Sequence, residues 1–346
     1  MMKTKITKLL GIKYPIILSG MSWISVPKLV AAVSEAGGLG IIASGVMSAE
    51  ETLAAILETK KLTKKPYGAN ITLYFPGAKR NAKIIIEHKV PVVNYALGKG
   101  DWICKEVHKY GGKVIATVTT LKHALAAQRD GADALIVTGH EAAGHGGAVT
   151  SLVLIPSIAD AVDIPVIGAG GFADGRGIAS ALLLGAEGIS MGTRFMNTVE
   201  SPVHEKQKEI SNNSDVYDTV YSDKIDGLPA RMLNSKGARR IMNKRLNPLS
   251  ALFRSREIAR MLGFPWGKLF VGIMFMGPKK AVQMARMAVG FKAFQVGTMD
   301  GDNEHGVLPI GQVTGLIHDT PTVRDVLKRI DAEAKAALKN LGGKLK

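Results

Sequence analysis

Ala134-Leu135-Ile136-Val137-Thr138 runs directly into Gly139-His140-Glu141-Ala142-Ala143-Gly144-His145-Gly146-Gly147. The first stretch is a continuous apolar, β-branched run, the pattern of a parallel strand buried on both faces. The nine residues that follow hold four glycines, two alanines and two histidines. Such a loop lets the backbone approach a ligand closely and sets groups that titrate near neutral pH at the mouth of a strand. Outward from it the same unit recurs. Ile164-Pro165-Val166-Ile167 leads into Gly168-Ala169-Gly170-Gly171, and Gly188-Ile189-Ser190-Met191 leads into Gly192-Thr193-Arg194. Strand, glycine-rich mouth and helix, repeated, describe a phosphate-binding rim with a histidine beside it.

Similar apolar runs lie over 15–19, 39–44, 67–73, 90–97, 113–119, 134–138, 164–169 and 188–192, and amphipathic stretches over 26–36, 49–59, 120–127 and 176–184 separate some of them. Eight strands, each followed by a helix, predict a (β/α)8 TIM barrel whose active site is built from loops at the strand C-termini. A doubly wound open sheet shares the βα alternation, but here every glycine-rich or polar cluster follows a strand, which favours the barrel. After Phe195 the texture becomes basic and rich in helical segments such as 251–262. The expected organisation is therefore a barrel over 1–200 and 300–346, with a smaller, mostly helical substrate or lid domain inserted over 201–299. The alanine- and lysine-rich tail from 321 reads as a surface helix packed back on the barrel.

The 346 residues are 46% hydrophobic, enough for a large core, and carry a net charge of +16. Lysines and arginines are dispersed, aromatics are few and no nucleic-acid motif is present, so the basic surface reads as a general preference for anions such as phosphorylated cofactors or acidic carriers. No early stretch has the length or continuity of a membrane span, and the apolar run after the basic opening Met1-Met2-Lys3-Thr4-Lys5 is broken by Gly11 and Lys13, against a signal peptide. The single cysteine, Cys104, excludes an internal disulfide and fits a reducing cytoplasm, where it reads as a buried, idle thiol. A small-molecule substrate, no nucleic acid, no membrane and a possible homodimer are the expectations for partners.

The mouths after strands seven and eight, Ala169-Gly170-Gly171 and Gly192-Thr193, match a barrel phosphate site in which backbone N–H groups hold the anion. After the first strand, Ser19-Gly20-Met21-Ser22-Trp23 offers a glycine on which a flat ring can lie, flanked by Met and Trp. Asn70, inside an apolar strand, must be hydrogen-bonded, either to a bound group or to neighbouring backbone. His140 and His145 have only Glu141 nearby, which argues against zinc. His145, between two glycines, suits a side chain projecting into a pocket and is assigned as general acid/base.

Taken in order, Tyr14-Pro15-Ile16, Val33 to Gly40, Pro66 to Asn70, Glu141 to His145, Gly170 to Gly175, Met191 to Phe195 and Gly311-Gln312 resemble the FMN-dependent nitronate monooxygenases, also called 2-nitropropane dioxygenases, whose relatives include enoyl-ACP reductase II. The resemblance implies a TIM barrel with non-covalent FMN. It places flavin contacts on Gly20, Met21, Ser22, Asn70, Thr138, Gly139, Ala143 and Gly144, the phosphate grip on Gly170, Gly171, Gly192 and Thr193, and the catalytic histidine on His145. Some relatives carry a lysine near the flavin where this chain has Thr117, and often an acidic residue where it has Thr138. Trp23, Ile310 and Gln312 are the expected substrate-side residues. The implied reaction is oxidation of alkyl nitronates with O2 to a carbonyl compound and nitrite. The alternative is an NAD(P)H-dependent flavin reductase acting on enoyl thioesters or quinones.

Overall fold

A computed structural model describes residues 2–75, 77–244 and 278–344, together with 256, 259, 265–267, 270 and 271. Eight strands run in parallel: β1 (Ile16–Leu18), β2 (Gly40–Ala43), β3 (Tyr67–Thr72), β4 (Val92–Ala96), β5 (Lys113–Val118), β6 (Ala134–Thr138), β7 (Val166–Ala169) and β8 (Gly188–Met191). From β2 to β8 each strand pairs with the next in sequence, and β8 pairs with β1. The ring is completed where Leu39 donates to the Ile16 carbonyl and Leu18 donates to that of Leu39. This is the barrel that the spacing of apolar runs predicts, and all eight strands lie within the expected stretches.

Helix α1 (Lys5–Leu10) precedes the barrel. Helices α2 (Pro27–Ala36), α3 (Ala49–Leu62), α4 (Ala78–Glu87), α5 (Asp101–His108), α6 (Leu121–Arg129), α7 (Ser151–Ala159), α8 (Gly175–Leu183) and the single turn α9 (Thr193–Met196) follow the strands in order. Local chemistry sets several starts: a Ser48–Glu51 capping box opens α3, and the Asp174 carboxylate accepts the Gly177 N–H at the head of α8. Inside the ring, Ile17, Leu39, Ile41, Val92, Ile115, Ala134, Ile136 and Ile167 form a dry plug, and Ile6 and Leu10 of α1 pack against it. The plug fills the N-terminal part of the barrel, so a ligand can enter only from the strand C-termini. Cys104 is buried against the outer core, and burial pushes its thiol up to about 12, which keeps it an unreactive thiol.

Beyond α9 come α10 (Glu205–Asn212), the antiparallel hairpin β9 (Thr219–Ser222) and β10 (Ala230–Leu233), α11 (Lys236–Asn243) and α12 (Pro278–Met299). The hairpin is an addition to the expected helical insertion. Its turn cue, Asp226-Gly227 between two β-prone runs, is present in the sequence, and Gly227 takes φ +90°. The helix expected over 251–262 lies outside the described residues except for 256 and 259. The chain ends in α13 (Val323–Lys344), which packs on α2 and α8. Among the described residues no helix is long and apolar enough to cross a membrane.

Candidate active site

Along a strand, residues two apart share a face. Val92 and Asn94, Ile115 and Thr117, and Ile136 and Thr138 are such pairs, and in each the first member belongs to the interior plug while the second faces the barrel mouth. The plug therefore ends in a polar floor. Asn70 and Asn94 are register partners across β3 and β4, and Asn70 Nδ2 donates to Asn94 Oδ1 at 2.8 Å. Asn94 Nδ2 in turn reaches the Ile115 carbonyl at 3.0 Å and Thr117 Oγ1 at 2.9 Å. Asn70 is thus satisfied by a second buried amide, a partner that reading β3 alone does not suggest. Asn94 was missed in the sequence because it sits inside an apolar run, although the alternation of faces and the register mark it.

Above this floor opens a cavity of about 730 Å³. Gly20, Met21, Ser22 and Trp23 from the first loop line it, as do Asn70, Thr117, Thr138, Ala143, Gly144 and His145. Ala169, Gly170, Gly171, Gly192 and Thr193 complete the wall at β7 and β8. Three expected residues lie outside the lining. Gly139 is packed behind the rim, where its N–H donates to the Ala169 carbonyl and an added Cβ would lie 2.2 Å from Ser151 Oγ. Ile310 is fully buried in the core, and Gln312 turns away to open a 3-10 turn while its N–H donates to the Glu141 carbonyl. Gly311, beside both, lines the cavity instead.

The β7–β8 end is a cradle of backbone donors. Gly170 and Gly171 take φ +95° and +80°, conformations that glycine adopts without strain. Among the described residues, nothing accepts from the N–H groups of Gly171, Gly192 or Thr193. Thr193 Oγ1 accepts from the Gly311 N–H at 3.1 Å, which leaves its hydroxyl proton free to donate. Behind the cradle the Glu141 carboxylate accepts from the Ser151 N–H and hydroxyl at the start of α7, bracing the loop from below.

The histidine loop is braced from above by the hairpin. Gly144 and Arg231 exchange both backbone hydrogen bonds at 3.0 Å, Tyr221 donates its hydroxyl to the Gly146 carbonyl at 2.8 Å, and Arg231 Nε donates to the His140 carbonyl at 3.0 Å. Burial pulls the Arg231 guanidinium below its ordinary value, with the Glu141 carboxylate opposing the shift; it stays a cation. His140 stacks edge-on against Tyr221 and lies outside the cavity lining, so only His145 of the two histidines reaches the cavity. His145 Nε2 lies 2.7 Å from Oδ2 of Asp226, which is 4% exposed and also lines the cavity. Asp226 was not singled out in the sequence, because a lone aspartate in an Asp-Gly turn reads as turn chemistry. On the opposite wall Phe291 of α12 meets Phe75 and Trp23 edge-to-face, with centroids 5.1 and 6.2 Å apart.

The arrangement offers a place for an anion, a polar floor for a flat ring and one imidazole that can move a proton. The sequence profile of the nitronate monooxygenase family matches residues 3–83 and 75–333. The chain belongs to the nitronate monooxygenase family. It is an oxidoreductase. Within and around the family, the chain is 38% identical over 346 residues to the (3aS,4S,5R,7aS)-5-hydroxy-7a-methyl-1-oxo-octahydro-1H-indene-4-carboxyl-CoA dehydrogenase of Rhodococcus jostii, covering 99% of this chain and 98% of that protein. It is 32% identical over 282 residues to a protein of Staphylococcus saprophyticus named Probable nitronate monooxygenase, covering 68% of this chain and 79% of that one. The structure of FabK from Thermotoga maritima superposes with a TM-score of 0.84 at 38% identity, covering 99% of this chain and all of that one.

Proposed function

We propose that this family member is an FMN-dependent oxidoreductase acting on an acyl thioester, transferring hydrogen across the bond between its α- and β-carbons, a hydride at the β-carbon and a proton at the α-carbon. The observation that carries this reading is the meeting, in one cavity, of a glycine cradle with unspent N–H donors and a histidine set by a buried carboxylate. The thioester is supported by the relative named as a carboxyl-CoA dehydrogenase, whose likeness extends over 99% of the chain and so takes in the hairpin that carries Asp226.

The residues present fit FMN. The free N–H groups of Gly171, Gly192 and Thr193 suit its phosphate, and the floor of Asn70, Asn94, Thr117 and Thr138 offers donors and acceptors to the ring edges. A Cβ on Gly144 would meet nothing within 4 Å, so the loop stands over open space. The volume falls within the range of about 300–1,000 Å³ usual for ligand sites. Bound there, FMN supplies acceptance and delivery of hydride. The chain's own part is to hold the phosphate on the cradle, to position the substrate carbonyl, to exclude water beneath Trp23, Phe75 and Phe291, and to take or give the α-proton at His145. The inserted segment over 201–299, which contributes Asp226 and Phe291, serves in this reading as the substrate-side domain.

A second reading, oxidation of alkyl nitronates with O2 to a carbonyl compound and nitrite, is favoured by the family profile and by the relative named for that activity. It stands second because that relative's likeness spans only 68% of the chain. An anaerobic titration together with an aerobic oxygen-uptake assay separates the two. NADH or NADPH is expected to bleach the yellow protein, and a 2-enoyl-CoA to restore its colour. Oxygen uptake on adding ethyl nitronate, with no response to the thioester, would put the second reading first. A preparation that neither retains nor binds FMN would remove both.

A further inference from the structure

The proton-handling histidine and the carboxylate it touches come from segments 81 residues apart. We infer that Asp226 is a positioning residue, delivered by the hairpin, that selects which nitrogen of His145 faces the substrate. The inference rests on the reading of His145 as the group that moves the proton.

Both oxygens of Asp226 are committed. Oδ1 accepts from the Leu228 N–H at 3.1 Å within the Gly227 turn, and Oδ2 lies 2.7 Å from His145 Nε2. A carboxylate accepts only, so the proton of the neutral ring sits on Nε2. Nδ1, which has no partner among the described residues, keeps its lone pair and is the nitrogen that takes the α-proton or, once protonated, returns it. When the ring becomes an imidazolium, the same carboxylate stabilises the new charge without accepting the proton. Burial strengthens that interaction, because little solvent screens a side chain that is 4% exposed. The four other hydrogen bonds between hairpin and loop, made by Arg231 and Tyr221 with Gly144, His140 and Gly146, hold the two groups in register.

Asparagine at this position makes a specific prediction. The Leu228 N–H still requires an acceptor, so the amide oxygen takes the Oδ1 place and the amide nitrogen faces His145. That nitrogen donates, Nε2 must accept, and the proton moves to Nδ1, where it blocks the lone pair. The experiment is ¹⁵N NMR of histidine-labelled, flavin-loaded protein, assigned with His145→Gln, alongside steady-state turnover of D226N. The expected results are an Nε2–H ring in the wild type, an Nδ1–H ring in D226N, and a kcat lower by on the order of a hundredfold. KM is expected to hold within about twofold, because the group lost acts in the reaction step and not in ground-state binding. An Nδ1–H ring in the wild type overturns the inference whether or not D226N folds, and so does unchanged turnover in a folded D226N. The tautomer is read without substrate, so an inactive thioester would count against the proposed reaction and leave this result standing.

Discussion

Replacing Asn94 with leucine would roughly keep its volume while removing both halves of its amide. Asn70 Nδ2 would then face a hydrocarbon, and Thr117 Oγ1 and the Ile115 carbonyl would lose a donor. Leaving buried polar groups unpaired costs about 1–3 kcal/mol each, so Asn94→Leu, which strands three, is expected to lose at least about 3 kcal/mol in urea denaturation and to bind less FMN. A stability within about 0.5 kcal/mol of wild type would mean that the floor is hydrated and its amides interchangeable. Gly20 tests the same floor from above. A Cβ there would lie 2.7 Å from Asn70 Cβ, a contact with no flexible partner to yield. Gly20→Ala is expected to raise the FMN dissociation constant, read by fluorescence titration, while leaving far-ultraviolet dichroism unchanged. At this scale His145 was legible because its glycine neighbours are local. Asp226 and Asn94 were not, because each is defined by a residue on another segment.

Among the elements, α13 shows how a surface helix becomes part of the barrel. Val323, Val326, Leu327, Ile330 and Ala334 are its buried stripe, and α8 approaches so closely that a Cβ on Gly175 would lie 2.3 Å from the Ala334 nitrogen. Leu327, wholly buried, packs near Gly38 just after α2, where an added Cβ would lie 3.5 Å from its Cδ1, and Leu327→Ala is expected to cost about 2–5 kcal/mol by denaturation. The start of the helix is tied by charge. Arg329 first, and buried Arg194 with it, hold the Asp319 carboxyl below the usual carboxylate range. A depressed folded-state value means that the stabilisation is fully present above the ordinary value of about 3.9 and is lost as pH falls through the lower folded one. Thermal unfolding followed on acidification should therefore fall more steeply below about pH 4 in the wild type than in Asp319→Asn. Equal slopes would show that the cluster adds nothing. The amphipathic tail and the strand runs were readable at this scale because each repeats its own period. The β9–β10 hairpin was not read, because Thr219–Ser222 and Ala230–Leu233 carry no continuous apolar run and only the Asp226-Gly227 turn marks them.

For the whole molecule, a ligand that binds only the folded state stabilises it in proportion to the logarithm of its concentration over its dissociation constant. Under the proposed reading, removing FMN should lower the unfolding free energy by about 2.7 kcal/mol relative to protein held at a hundredfold excess over that constant. Re-adding FMN should restore it, whereas a melting temperature indifferent to FMN would remove the cofactor assignment. By themselves, the residues in order determined the eight strand-and-helix units, the glycine mouths and the histidine set between glycines, because hydrophobic period, glycine conformation and capping all act within a few neighbours. Only the tertiary structure decided that alternate strand residues meet as a polar floor, that Gly311 and not Gln312 reaches the cavity, and that a carboxylate from the β9–β10 hairpin meets His145. Those facts depend on closing the ring and docking the hairpin on it, which bring together groups that no local pattern relates.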